Sequence, residues 1–132
     1  MMRPAEVIDT YCLAWSEPHQ KLRRALLEMV WTETSTYTDP GVRLAGIDAL
    51  DKRIAQLLAK RPGSRVVRTS ELDMHHDLCR FSWCVVQADG TSLPEGLDVA
   101  AFSDPPSRLA WVIGFFGLGV TPLALPALKA AA

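Results

Sequence analysis

Asp39 stands directly before Pro40, Asp98 interrupts the apolar run from Gly96 to Phe102, and Tyr11 lies on an apolar helical stripe. A carboxylate among apolar neighbours needs a partner or a task, because burying an unpaired charge is costly. On its own strand face Asp98 has Gly96, Ala100 and Phe102 beside it. Such surroundings raise a carboxyl pKa by desolvation, and a carboxyl that stays protonated can donate a hydrogen bond. Asp39 has two readings, an acid that caps the turn before Gly41 or a pocket carboxylate. Tyr11 also has two, a core residue with a satisfied hydroxyl or a residue of a pocket.

His75 and His76, flanked by Asp73 and Asp77, invite a metal reading. Adjacent strand residues point to opposite faces, so the two rings are not expected to share an ion. A turn with one outward and one inward histidine is expected instead, the inward one able to line a pocket. No metal or cofactor is expected, since no phosphate-binding glycine loop and no Cys–His or Ser–His pairing occurs. Cys12, Cys79 and Cys84 are odd in number, and the last two face opposite ways on one strand. That pattern fits free thiols in a reducing cytoplasm.

The elements that must hold these residues follow from periodicity. Val7, Ile8, Tyr11, Cys12 and Trp15 recur at helical spacing after Pro4, predicting a first helix that ends near Glu17-Pro18. A second helix is predicted from about His19 to Trp31, with Leu22, Leu26, Met29 and Val30 on one face. Thr32 to Pro40 reads as a short strand opening into a loop through Gly41. Gly46 starts a third helix with Ile47, Leu50, Ile54, Leu57 and Leu58 as its stripe, and Pro62-Gly63 ends it. The period then becomes two. Ser64 to Asp73 and Leu78 to Gln87 read as antiparallel strands, followed by Gly96 to Phe102 and Leu109 to Phe116, with Asp104-Pro105-Pro106-Ser107 in the last turn. Helices first and strands afterwards predict an α+β fold. Residues 1–117 form the one domain, and 118–132 a tail.

The 132 residues suit a single domain, and 14 basic against 15 acidic side chains give a net charge of -1. That balance argues against a nucleic-acid partner, and Arg23-Arg24 and Lys52-Arg53 read as solvated surface. The most apolar segment, Leu109 to Val120, holds three glycines and is too short to span a bilayer, so no membrane partner is expected. No secretory signal is visible at the start. A soluble cytoplasmic protein is expected.

Several short words in fixed order resemble the SnoaL-like branch of the nuclear-transport-factor-two-like superfamily. They are Tyr37-Thr38-Asp39-Pro40, Gly46, Pro62-Gly63, Asp73-Met74-His75-His76-Asp77, Arg80-Phe81-Ser82-Trp83, Gly96-Leu97-Asp98-Val99, Arg108-Leu109 and Gly114-Phe115-Phe116-Gly117. The resemblance implies a cone-shaped barrel, with three N-terminal helices packed on a strongly curved, mostly antiparallel sheet around a pocket. Within that superfamily, ketosteroid isomerases carry an aspartate before proline, a tyrosine on the first helix and a second acid on the penultimate strand. Asp39, Tyr11 and Asp98 stand in those places. The resemblance thus implies Asp39 as base, with Tyr11 and Asp98 polarising a carbonyl oxygen. In ketosteroid isomerases that second acid stays protonated in its apolar site and so can donate a hydrogen bond.

The function expected is a cofactor-independent isomerase or cyclase, moving a proton beside the carbonyl of a small apolar, steroid- or polyketide-like compound. Trp15, Tyr37, His76, Trp83, Phe102 and Phe115 are the expected substrate contacts. A non-catalytic ligand-binding or partner domain is the alternative. Polyketide cyclases of the family place an acid on the final strand, and Leu109 to Phe116 has none. Limonene epoxide hydrolases need an acid near the arginine, where Arg80 is followed by Ser82 two positions on. The last strand is apolar on both faces, which predicts a homodimer through the outer face of the sheet.

Overall fold

Pro4 sits in the first turn of helix α1 (Pro4–Ala14), where a missing N–H costs nothing. The computed structural model describes residues 2–103 and 107–124. α1 buries Val7, Ile8, Tyr11, Cys12 and Ala14. It stops at Ala14 rather than at Glu17-Pro18. The Ser16 hydroxyl donates to the Cys12 carbonyl at 2.9 Å and accepts from the Val66 amide at 2.9 Å, fastening the helix end to the sheet.

Helix α2 (Gln20–Val30) is rotated from the expected face. Arg23, Leu27 and Val30 turn inward, while Leu22 and Met29 stay about half exposed. The cause is an ion pair between Arg23 and Asp51 on helix α3 (Ile47–Lys60), both side chains being almost fully buried. Arg23 is therefore not surface, whereas Arg24 holds the exposed Asp48 at 2.7 Å. Burial alone would raise Asp51, but hydrogen bonds from Arg23 and Gln20 reverse this and hold its carboxyl below the usual range.

The sheet contains β1 (Thr36–Asp39), β2 (Val42–Ala45), β3 (Arg65–Arg68), β4 (Asp73–His75), β5 (Leu78–Val86), β6 (Gly96–Phe102) and β7 (Leu109–Phe116). Its order is β2-β1-β7-β6-β5-β3, with β4 also pairing β5. All pairings are antiparallel except β1 with β7. The sheet is open, with β2 and β3 at its ends, and so is not a closed barrel. Two sequence expectations change. The segment after Gly41 is strand β2, completing a hairpin with β1. The expected strand from Ser64 to Asp73 is split, because the Ser70 hydroxyl takes the Ser82 amide at 2.9 Å in place of a backbone carbonyl.

The three helices cover one face, where Phe81, Phe102, Leu109 and Val112 join Leu27, Trp31 and Ile54 in one core. The Trp31 indole donates to the Gly46 carbonyl, tying the entry of α3 to the exit of α2. On β7 the side chains alternate, with Val112 buried and Ile113 and Phe115 exposed. Among the described residues no helix is long and apolar enough to cross a membrane. Residues 118–124 are exposed and carry no regular structure. The rest of the expected tail, 125–132, and residues 104–106 of the expected Asp104-Pro105-Pro106-Ser107 turn lie outside the described residues.

Candidate active site

Three strands bring the acids together. Asp98 on β6 is paired directly with Gly114 on β7, and β1 runs parallel along the other side of β7. A Cβ on Gly114 would come within 2.9 Å of Asp98 Oδ1, 3.7 Å of Asp39 Cβ and 3.8 Å of the Tyr37 hydroxyl. The absent side chain is what leaves room for both carboxylates. Gly96 does the same for the Trp83 ring, which a Cβ there would overlap at 2.3 Å.

These residues line a cavity of about 710 Å³ between the helices and the sheet. Its wall includes Tyr11, Trp15, Tyr37, Asp39, Trp83 and Asp98 among mostly apolar neighbours. The Trp83 indole N–H donates to Asp98 Oδ1 at 2.7 Å. Burial pushes the Asp98 carboxyl up to about 7; the Trp83 hydrogen bond opposes the rise and the Asp39 charge adds to it. Asp39 is bound differently. Its Oδ2 accepts from the Tyr37 hydroxyl at 2.8 Å, and its Oδ1 accepts from the Gly41 and Val42 amides at 2.7 and 3.1 Å. Both sequence readings of Asp39 are thus true at once, turn cap and cavity wall.

The upper wall offers donors without acceptors. The Tyr11 hydroxyl and the Trp15 indole N–H are both buried and complete no hydrogen bond. Tyr11 lies on α1 and Trp15 is the helical-backbone residue that ends it, four positions on and therefore on the same face. Burial holds the Tyr11 hydroxyl well above its usual range, the Asp98 charge reinforcing this and the nearby Trp15 N–H working against it. Burial and then the bond to Asp39 raise Tyr37 in the same way. Cys12 lines the cavity too, and burial pushes its thiol up to about 12, which favours the protonated form. The three cysteines are all free thiols.

Three expected contacts are not at the cavity. His76 adopts a left-handed φ of 55° in an exposed turn, which brings its Nδ1 within 3.1 Å of His75 Nδ1. The expected divergence of the two rings fails because His76 lies beyond the strand, and neither ring faces inward. Among the described residues no three His, Cys, Asp or Glu side chains converge to hold a metal ion. Phe102 lies past a bulge between Ala101 and Phe102 and is buried in the core instead. Phe115 follows Gly114, so the pleat sends it to the outer face, where it is 55% exposed.

One functional candidate escaped the sequence reading. Arg53, expected at the surface, lines the cavity with its Nε buried and unpartnered. The signal was present: position 53 falls three residues after Leu50 and four before Leu57, on the apolar stripe of α3.

Helices on one face of an open, mostly antiparallel sheet, with an acid-bearing cavity between the layers, define an α+β pocket protein. No family model matches the chain, and no curated protein matches it. Solved structures do. One from Agrobacterium tumefaciens strain C58, described as a candidate isomerase of the SnoaL-like family, is 30% identical with a TM-score of 0.81. The match covers 89% of this chain and 100% of that one. An NTF2-like protein of unknown function from Mesorhizobium loti is 23% identical, with coverage of 87% and 91% and a TM-score of 0.61. A protein of unknown function with a cystatin-like fold from Methylobium petroleophilum PM1 is 15% identical, with coverage of 92% and 78% and a TM-score of 0.69. The latter two show the fold alone. The first shows the family: the chain belongs to the SnoaL-like family of NTF2-like proteins.

Proposed function

We propose that this protein is a cofactor-independent isomerase that moves a proton beside the carbonyl of a small, largely apolar compound. The observation that carries the reading is the meeting, in one apolar cavity, of a carboxyl with a pKa of about 7 and two buried donors without acceptors. A general acid–base works best when its pKa lies near the working pH. Asp98 meets that condition, with one oxygen held by Trp83 and the other unbound. It takes the proton from the carbon next to the carbonyl, and the released electron pair moves onto the oxygen. Tyr11 and Trp15 donate to that oxygen as its charge develops. In a β,γ-unsaturated compound the electron pair is shared with the adjacent double bond, and Asp98 then returns the proton to the γ-carbon of the dienolate, leaving the α,β-unsaturated product.

This assignment moves the base from Asp39, where the resemblance implies it, to Asp98. Asp39 spends both oxygens on three donors, and so serves to position Tyr37 and to hold the proton on Asp98. The same saturation favours the competing reading, a binding pocket without chemistry, over any mechanism that uses Asp39 as base.

Conversion of a β,γ- to an α,β-unsaturated cyclic ketone, followed by absorbance, tests the proposal. The wild-type rate should rise as pH passes about 7, where Asp98 loses its proton. Asp98→Asn should lower it by roughly 10²–10⁴-fold, and Tyr11→Phe should also slow it. A wild-type rate equal to buffer over a panel of carbonyl compounds would favour the binding pocket. An Asp98→Asn rate equal to wild type would remove Asp98 from the mechanism.

A further inference from the structure

Among the described residues, Arg53 lines the cavity and completes neither a hydrogen bond nor an ion pair. Its Nε is buried without a hydrogen-bond partner, and no acid among the described residues lies within ion-pair distance of it. The other arginine on the wall, Arg61, spends its Nη1 on Gln87 at 3.0 Å. Arg53 is half-buried, and a guanidinium without a partner on the wall of a largely apolar cavity is free to take an anion from elsewhere.

Asp39 lies across Gly41 from Arg53, yet its oxygens are taken by Tyr37, Gly41 and Val42. A methyl group built on Gly41 would lie 3.5 Å from Asp39 Oδ1 and 3.7 Å from Arg53 Nη2. The two charged groups therefore flank Gly41 without touching. Asp39 and Asp98 in turn flank Gly114, so the wall reads Asp98, Asp39, Arg53 in order. A ligand whose carbonyl meets Tyr11 and Trp15, with its reacting carbon at Asp98, would extend along this wall toward the guanidinium.

We propose that Arg53 is a specificity residue that receives the carboxylate of the ligand, so that the compound taken into the cavity is a keto acid and not a neutral ketone. The inference rests on the carbonyl site proposed above and adds the second recognition point. A single planar guanidinium matches a carboxylate in a two-pronged pair. A phosphate dianion would need more positive charge than this wall supplies, with Asp39 and Glu95 also lining it.

Calorimetric titration at pH 7 with 4-oxo-4-phenylbutanoate and with its methyl ester tests this without any turnover. The wild-type protein should bind the acid about tenfold or more tightly than the ester. Arg53→Met and Arg53→Gln should bring the two affinities within about threefold while leaving the ester affinity unchanged. Equal affinities in wild type, a preference for the acid that persists in either variant, or no binding of either compound at millimolar concentration would overturn it. So would loss of ester binding in both variants, because the guanidinium would then be supporting the pocket itself. Loss of the acid preference leaves proton transfer by Asp98 standing, and an Asp98→Asn protein without turnover leaves the Arg53 assignment standing.

Discussion

Asp98→Asn tests the electrostatics of the site through stability alone. In the unfolded chain this carboxyl titrates near its ordinary value of 3.8, and in the folded protein burial raises it to about 7. Between those values the folded state holds a proton that the unfolded state has released, so stability falls as pH rises. The favourable contribution is complete below about pH 4 and lost once pH passes about 7. Spread over that interval, the shift amounts to roughly 4 kcal/mol as an upper value. Asparagine carries no titrating group, and its amide oxygen can still accept the Trp83 indole N–H that now binds Asp98 Oδ1 at 2.7 Å. Urea unfolding of both proteins at steps from pH 4 to pH 8 supplies the measurement. The variant should match wild type near pH 4 and exceed it by up to about 4 kcal/mol at pH 8, with unchanged m-values. Parallel stability curves across that range would refute the reasoning, since they would mean that Asp98 is solvated or paired in the folded protein.

Gly114→Ala places a Cβ 2.9 Å from Asp98 Oδ1, and should cost about 1–3 kcal/mol and shift the Trp83 emission; unchanged urea unfolding would mean that the carboxylate has room to move. Arg23→Met leaves Asp51 buried without its partner and should cost about 3–5 kcal/mol. Adding Asp51→Leu should restore most of that stability in thermal unfolding, and no restoration would show that the pair is not the source of the loss. The exposed outer-face residues Ile113 and Phe115 are proposed to meet a second copy of the chain. Sedimentation equilibrium should then return twice the 14.5 kDa chain mass, falling to one copy in Phe115→Lys. A single copy of the wild-type chain at micromolar concentration would refute the dimer, and a dimer that survives truncation after Gly117 would exclude the tail as its cause.

The helices, the late strands and the three polar groups at the cavity were legible in the chain by itself. Each rests on local information: Pro4 and Gly46 at helix starts, the change of period after Gly63, and a carboxylate at position 98 among apolar neighbours. The family words carried the fold and brought Tyr11, Asp39 and Asp98 forward as a set. What remained hidden depends on contacts between elements distant in sequence. Arg23 turns inward only because Asp51, 28 positions later, meets it, and that pairing overrides the more apolar face through Leu22 and Met29. The split of β3 from β4 depends on the Ser70 hydroxyl meeting the Ser82 amide. His76 and Phe115 were misplaced for opposite reasons, one because a left-handed turn suspended strand alternation and the other because alternation held. The strand spacing could name Asp98 as a buried acid, but only the fold could set Gly114 between it and Asp39 and leave Arg53 facing the same space without a partner. Periodicity along one chain determines which face a residue occupies; tertiary packing decides what stands opposite that face, and the chemistry follows from the second.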